Sequence, residues 1–526
     1  LEILKDHRWR SLAFPVVLRP AFIALLSGVL MSFAAAPFSL WGLAWVALVP
    51  LWVMSVRNTE LKLRPLPSVM HPFVLPLLWG IAYHGSTLFW LTGLHPLTWL
   101  GIPWVASVAI VAFAWSFITL WGTACVCLWT WGMRWIGRFG IPPGLRVLVG
   151  TALWCALETI RQWTPLDWTA LSFTQSPHNL AILHLGQISG SMMVSAAIVA
   201  VNGLLAEAWI GRRTGGNSRL LFASAIAVFL GLHLVGFTMY SHALNESSAI
   251  KVGIVQGNVP TRIKLFKDGL KKALDGYSTG YRNLVAQNVD VVLTPEGSLP
   301  FLWEGINQQN SVYQAVLEKR VPAWIGTFLS EGSHYTQSLI AVAPEGETIG
   351  RFNKVKLVPL GEYIPFESTI GKLIGRLSPV QSSMLPGQID QHFETSFGRA
   401  AVGICYESAF PQLFRSQVAT GARFLITASN LDPYSTVLME QHQAHDVMRA
   451  IETDRWMVRA TNTGYSGIVD PHGRIQWRSQ PHQYQLHAGV IYPRQTQTLY
   501  VRYGDWLTPT LLIGSAIALG FHRSRR

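Results

Sequence analysis

Three short islands in the second half of this 526-residue chain carry groups able to do acyl chemistry. Asp290-Val-Val-Leu-Thr-Pro-Glu296-Gly ends an apolar run with a carboxylate. Arg351-Phe-Asn-Lys354-Val-Lys-Leu-Val-Pro-Leu-Gly-Glu362-Tyr-Ile-Pro365 supplies a lysine, then a second carboxylate just past a Pro and a Gly. Arg399-Ala-Ala-Val-Gly-Ile-Cys405-Tyr-Glu-Ser408 ends another run with a thiol. Cys405 has no disulfide partner in its own region, because Cys125, Cys127 and Cys155 all lie in apolar stretches long enough to be membrane spans. Such a thiol is either a small buried hydrophobe or a nucleophile, and alone the first is commoner. The other two islands reverse that balance. A thiol of pKa about 8.5 needs a base or a cation to become thiolate, and a carboxylate beside a lysine supplies both. The same lysine, with backbone N–H groups beyond the cysteine, can stabilise an oxyanion.

The elements that must position these groups are legible around them. Apolar β-rich runs at 249–255, 289–294, 322–329, 337–343, 399–404, 422–428 and 456–461 predict strands. Helical patterns at 265–287, 311–319, 408–420 and 440–455 fall between them, which predicts a layered α/β domain. Glu296 then sits where the carboxyl edge of a sheet forms a crevice.

The remainder of the chain is of another kind. Half of all residues are hydrophobic, only 13% are charged, and no Asp, Glu, Lys or Arg occurs from Pro20 to Val56 or from Pro65 to Met133. A span needs only about 20 apolar residues, so membrane crossings are expected near 22–36, 40–55, 73–92, 105–131, 146–162, 182–207, 219–241 and 505–521. The first two are short and meet at Pro37, as a broken or re-entrant pair would. The start resembles a signal peptide, with Ala34-Ala35-Ala36 as its cleavage site, but Pro37 argues against processing and the first span is expected to be retained. Lys5, Arg8, Arg10 and Arg19 precede the first span; Arg57, Lys62 and Arg64 follow the second, and Arg134, Arg138 and Arg146 the fourth. Arg212, Arg213 and Arg219 follow the sixth, and Arg523, Arg525 and Arg526 end the chain. The connections at 37–39, 93–104 and 163–181 contain no Lys or Arg. This pattern puts both termini in the cytoplasm and the 246–503 block on the other face. The net charge of +13 is therefore mostly topological, and nucleic acid is not implied as a partner.

Several landmarks recur in one order: Gln256-Gly-Asn-Val-Pro260, Thr294-Pro-Glu296, Lys354-x-x-Leu-Val-Pro359-x-Gly-Glu362, Ile404-Cys405-Tyr-Glu407 and Met448-Arg-Ala through Arg459-Ala-Thr-Asn-Thr-Gly464. With the apolar N-terminal half, they resemble the apolipoprotein N-acyltransferase family, the membrane-embedded branch of the nitrilase (carbon–nitrogen hydrolase) superfamily. The resemblance implies an αββα sandwich inserted between the seventh and eighth spans. It also implies Glu296 as general base, Lys354 as transition-state stabiliser and Cys405 as nucleophile. Glu362 and Glu407 become supporting carboxylates, and the Tyr406 N–H an oxyanion donor. Two departures fall on loops that face substrate in the family: Phe266 where Trp is usual, and Asn430-Leu-Asp-Pro-Tyr434 where an Asn-Asp-x-Trp-Phe-like run is usual.

Plainer readings compete for other residues. Glu440, His442 and His445 have helical spacing compatible with a metal site, but without a third ligand a polar helix face is preferred. Lys264, Lys267, Lys271 and Lys272 around Leu265 and Phe266 read as an amphipathic helix start, able also to meet phosphate headgroups. The expected organisation is a transmembrane bundle at 1–245, a periplasmic catalytic domain at 246–503, and a last span with a basic tail at 504–526. The resemblance implies a bacterial inner-membrane enzyme that takes an acyl chain from a phospholipid onto Cys405. The acceptor is the α-amino group of a diacylglyceryl apolipoprotein. No cofactor or metal is expected. The rivals are a membrane-tethered amidase of the same superfamily and a non-enzymatic scaffold or transporter. The triad weighs against the scaffold, and a soluble hydrolase has no need of seven preceding spans.

Overall fold

The computed structural model describes residues 7–60, 73–244, 246–264, 266–305, 310–359, 361–363 and 384–525. Lys5, Lys62, Arg64, Leu265, Pro365 and Arg526 lie outside the described residues. The chain forms two compact units, one from Leu1–Thr92, Ala112–Met239 and Asp505–Arg526, the other from Gly93–Val111 and Tyr240–Gly504.

Among the described residues, three helices are long and apolar enough to cross a membrane: Trp104–Gly137, Ser191–Arg212 and Ser218–Tyr240. Along Ser218–Tyr240 the side chains of Leu220, Phe222, Ile226, Leu230, Leu234 and Phe237 are exposed. A row of that size facing outward is suited to hydrocarbon, where a helix satisfies its own backbone. Ser191–Arg212 is mostly buried instead. The other expected spans fall on shorter or interrupted pieces. The 22–36 segment ends a helix at Ala34, and helical structure resumes with a 3₁₀ turn at Trp41, as Pro37 foretold. Two more of the expected spans are interrupted as helices. The 73–92 segment is an α-helix only over Val74–Gly80, then a π turn Ile81–Gly85 and a 3₁₀ turn Phe89–Leu94. Side chains take up the bonds such a break releases: Trp115 Nε1 donates to the Gly85 carbonyl at 3.0 Å. The 182–207 segment breaks at Gly190, between Gly186–Ser189 and Ser191–Thr214.

Several charges of the first unit are buried and paired, as charges among apolar helices have to be. Arg146 Nε meets Glu207 Oε1 at 2.8 Å, and Arg161 Nε meets Asp167 Oδ1 at 2.8 Å. Glu158 accepts the Leu171 N–H at 2.9 Å and the Ser195 hydroxyl at 2.6 Å.

The second unit carries the expected strands, here β1 Ile250–Gln256, β2 Val291–Leu293, β3 Ala323–Glu331, β4 His334–Val342, β6 Ala400–Ile404, β7 Phe424–Ser429 and β8 Met457–Thr461. Four more were not foreseen: β5 Thr348–Asn353, β9 Gly467–Val469, β10 Ile475–Arg478 and β11 Gln485–Ile491. β5 and β10 alternate half-buried with exposed residues and hold Arg, Asn or Gln, so they lack the apolar run that marks a buried strand. One sheet has the order β11-β1-β2-β3-β4-β5 and the other β10-β9-β8-β7-β6. Trp324 of β3 stacks on Phe424 of β7 with ring centroids 5.5 Å apart, packing one sheet on the other. Outside the first sheet, the helices Lys267–Val285 and Ser311–Lys319 bury Tyr277, Tyr281, Leu284, Val312 and Val316 in one core with Val255 and Val292. Outside the second lie Pro411–Ala419 and Thr436–Thr453, completing the αββα layering. β6 is an edge strand, and Gln417 blunts it by accepting the Val402 N–H and donating to the Val402 carbonyl, both at 2.9 Å.

Candidate active site

A strand end places each of the three groups. β2 stops at Leu293, where the chain must turn sharply: an ideal Cβ on Gly326 of β3 would come 2.1 Å from the Pro295 carbonyl oxygen. Gly297 adopts φ +52°, open to glycine, and Thr294 Oγ1 meets Ser298 Oγ at 2.7 Å across the turn. Glu296, at the apex, is 5% exposed. Its Oε1 accepts from Lys354 Nζ at 2.9 Å, and its Oε2 accepts the Asn430 N–H at 2.7 Å.

Lys354 directly follows β5, and its N–H donates to the Gln337 carbonyl of β4 at 2.8 Å. Its fully buried ammonium lies between Glu296 and Glu362, donating to both. The second Glu362 oxygen accepts the Val358 N–H at 2.9 Å, so the loop that carries the lysine folds back on its own counter-ion.

Cys405 directly follows β6 and opens a 3₁₀ turn, Cys405–Ala409, with φ +56°. A left-handed conformation at a residue with a Cβ costs on the order of 1–2 kcal/mol and persists only where the surroundings over-determine it. Glu407 provides that constraint. Its Oε2 accepts the Ile404 N–H at 2.6 Å, while Oε1 accepts Val355 N–H at 2.6 Å and Lys356 N–H at 2.8 Å. One buried carboxylate thus ties the cysteine's elbow to the lysine's loop.

The electrostatics follow from burial with two signs of charge close together. Burial pushes the Cys405 thiol far up, Glu296 adds to that, and Lys354 and the Asn430 N–H pull the other way. The balance favours the neutral thiol. Burial opposes the Lys354 ammonium, yet Glu296 and Glu362 hold its pKa well above the usual lysine range. Burial raises Glu362, with Lys354 opposing, and pushes Glu407 up to about 7 against the pull of its three N–H donors.

The sequence-predicted residues Glu296, Lys354, Glu362 and Cys405 are thus brought together, with Glu407 bracing them. Tyr406 is half-buried, its ring edge-on to Phe410 at 5.0 Å, and its N–H lies in the first turn after β6. Phe266 is 68% exposed at the start of Lys267–Val285. Lys267, Lys271 and Lys272 are exposed as an amphipathic helix requires, but Lys264 is a correction: it is buried, with Nζ 3.3 Å from the Glu296 carbonyl oxygen. The polar helix face expected around Glu440, His442 and His445 also needs correction, because Leu438–Thr453 is buried except at Glu440, and both histidines with it. Arg459 Nη1 and His442 Nδ1 lie 2.9 Å apart, and Glu440 pairs with Arg478 at 3.0 Å. Among the described residues no group of three His, Cys, Asp or Glu could hold a metal.

Sequence reasoning missed two other participants. The Asn430 N–H serves Glu296, and a main-chain donor has no signature in sequence. Tyr434 stands near the thiol, its phenol raised by burial and then by the Cys405 and Glu362 groups. The only signal for either was the departure of the 430–434 loop from the usual pattern.

Known proteins resemble this chain over most of its length. Residues 251–492 match the carbon-nitrogen hydrolase family, and residues 27–204 match the apolipoprotein N-acyltransferase N-terminal domain. The apolipoprotein N-acyltransferase of Nostoc sp. (strain PCC 7120) is 53% identical over 92% of this chain and 95% of its own length. That of Synechocystis sp. (strain PCC 6803) is 44% identical over 93% of this chain and 98% of its own. A solved amidase from Nesterenkonia sp. AN1 aligns over 51% of this chain and 100% of its own, at TM-score 0.38 and 15% identity, values too low to bear on function.

Proposed function

Because the chain belongs to the apolipoprotein N-acyltransferase family, we propose that it matures lipoproteins through a thioester on Cys405. It is a membrane acyltransferase; the donor is a phospholipid and the acceptor the α-amino group of a diacylglyceryl apolipoprotein. In the first step Cys405 Sγ attacks the ester carbonyl while Glu296 takes the thiol proton. The Lys354 ammonium and the Tyr406 N–H stabilise the oxyanion. Collapse breaks the C–O bond, and Glu296 returns the proton to the departing lysophospholipid alkoxide. In the second step the acceptor amine attacks the thioester carbonyl and passes a proton to Glu296. The C–S bond breaks, and the proton restores the Cys405 thiol. Two visits to one sulfur separate two insoluble substrates that need never be bound together.

The observation that supports this best is the bracing of Cys405 by Glu407 to a fully buried Lys354 held between two carboxylates. Incubating the purified full chain with phospholipid should add one acyl mass, lost on hydroxylamine treatment. Glu296→Gln should form that adduct at least about 100-fold more slowly, the lower end of a general base's contribution. A normally acylated Glu296→Gln protein would mean that another group activates the thiol.

Orientation has its own test. The distribution of Lys and Arg supports a catalytic unit on the outer face of the inner membrane, with both termini inside. Reporter fusions at Ser248 and Arg502 should read periplasmic, and one at Asn217 cytoplasmic. A cytoplasmic signal at Ser248 in an active full-length protein would overturn this topology.

A further inference from the structure

Lys264 stands outside the set of groups just assigned, yet it is built into the same site. It closes the short helix Thr261–Lys264 that follows β1, is 5% exposed, and donates from Nζ to the main-chain oxygen of Glu296 at 3.3 Å. An ideal Cβ on Gly297 would lie 3.6 Å from that nitrogen, so the ammonium packs directly against the turn that carries the base. The arm itself is fixed from the other side of the site. Thr261 N–H donates to Asp432 Oδ2 at 2.7 Å, and Asn430 Nδ2 donates to Thr261 Oγ1 at 3.1 Å. Val259 N–H donates to Asn462 Oδ1 at 2.9 Å. Asn430 is also the residue whose N–H holds Glu296 Oε2. The carboxylate and the carbonyl of Glu296 are therefore held by two segments that are bonded to each other.

A buried ammonium is a costly donor for one carbonyl, and an uncharged amide would reach the same oxygen. Its charge is what an amide would lack: charge-assisted hydrogen bonds are about twice as strong as neutral ones. We propose that Lys264 is a second lysine of the active site, a positioning residue whose ammonium fixes the turn bearing Glu296 and sets the alkaline limit of thioester formation. This rests on the assignment of Cys405 as acyl carrier. The charged groups facing the ammonium are Glu296, on the turn after β2, and Asp432, on the loop after β7. Burial outweighs both and pulls Lys264 down to about 8, so the ammonium is present below that pH and lost above it.

The test uses the full chain in detergent with mixed micelles of phosphatidylethanolamine and phosphatidylglycerol, and follows the acyl-enzyme mass against time from pH 6.5 to 9.5. Wild-type thioester formation should fall roughly eightfold between pH 7.5 and 9, as the ammonium fraction does for a group of pKa near 8. Lys264→Gln should be about tenfold or more slower at pH 7.5 and flat from there to pH 9. Lys264→Arg should stay within about threefold of wild type at pH 7.5 and show no alkaline fall, since guanidinium remains charged. A Lys264→Gln protein that keeps the wild-type rate, or keeps the alkaline fall, would overturn the proposal. So would a Lys264→Arg protein as slow as Lys264→Gln while unfolding at the wild-type temperature. Failure of wild type to gain any acyl mass would instead remove the thioester on which the proposal rests.

Discussion

Cys405→Ala should lower acyl transfer by on the order of 10⁴-fold or more, because loss of a covalent nucleophile leaves only binding and oxyanion stabilisation. Cys405→Ser should fail nearly as completely, since its hydroxyl is far less acidic than a thiol in the same buried site. Neither change should disturb folding by more than about 1 kcal/mol, as both keep a Cβ at a position already at φ +56°. Cys405→Gly separates strain from chemistry. It should be equally inactive but more stable by about 1 kcal/mol, because glycine adopts this backbone without the Cβ clash. Intact mass after phospholipid treatment, with thermal unfolding of the same samples, checks both claims. Appreciable turnover by the alanine protein would remove Cys405 from the mechanism.

Lys354→Met should be both inactive and unstable. It leaves Glu296 and Glu362 as buried carboxylates without their shared cation, and breaking a buried pair in this way costs about 3–5 kcal/mol. Loss of the oxyanion stabiliser should separately slow acylation by about 10²- to 10³-fold or more. The instability should depend on pH in a particular direction. Burial already raises the Glu362 carboxyl, and Lys354 is what opposes that rise. Without the lysine, the folded state binds a proton more tightly than the unfolded chain does, so stability falls as pH rises through the raised value. The Lys354→Met protein should therefore unfold at a higher temperature at pH 5.5 than at pH 8. A melting temperature equal to wild type at both values would show that the ion cluster is not what holds this loop.

What the sequence revealed about this site depended on which atoms do the work. Glu296 and Cys405 close apolar β-rich runs, so strand periodicity alone puts them at sheet edges. Lys354 follows a strand whose alternating polar residues hid it, and its role was implied only by the resemblance of the 354–362 segment to the family's pattern. Lys264 was misread because four lysines within nine residues look like one solvated face; three are, and the fourth turns inward at the end of a single helical turn. His442 and His445 show the converse, polar spacing on a helix buried along almost its whole length. In the apolar half, composition located the helical segments but not the breaks at Ile81–Gly85 and Gly190. Those depend on tertiary donors such as Trp115, which no local window contains.

The contacts that complete Glu296 come from far along the chain: Lys354 is 58 residues away and Asn430 is 134. Glu407 closes on Val355 across 52 residues. Long loops must close before any of these bonds can form, which makes them late arrivals in folding. During synthesis Glu296 and Lys354 emerge well before Cys405. A partly folded chain consequently presents Cys405 as an ordinary, idle thiol, with no base, cation or bent backbone around it. On the proposed thioester mechanism, acylation competence reports finished folding: only a molecule with both sheets assembled would take up the acyl chain.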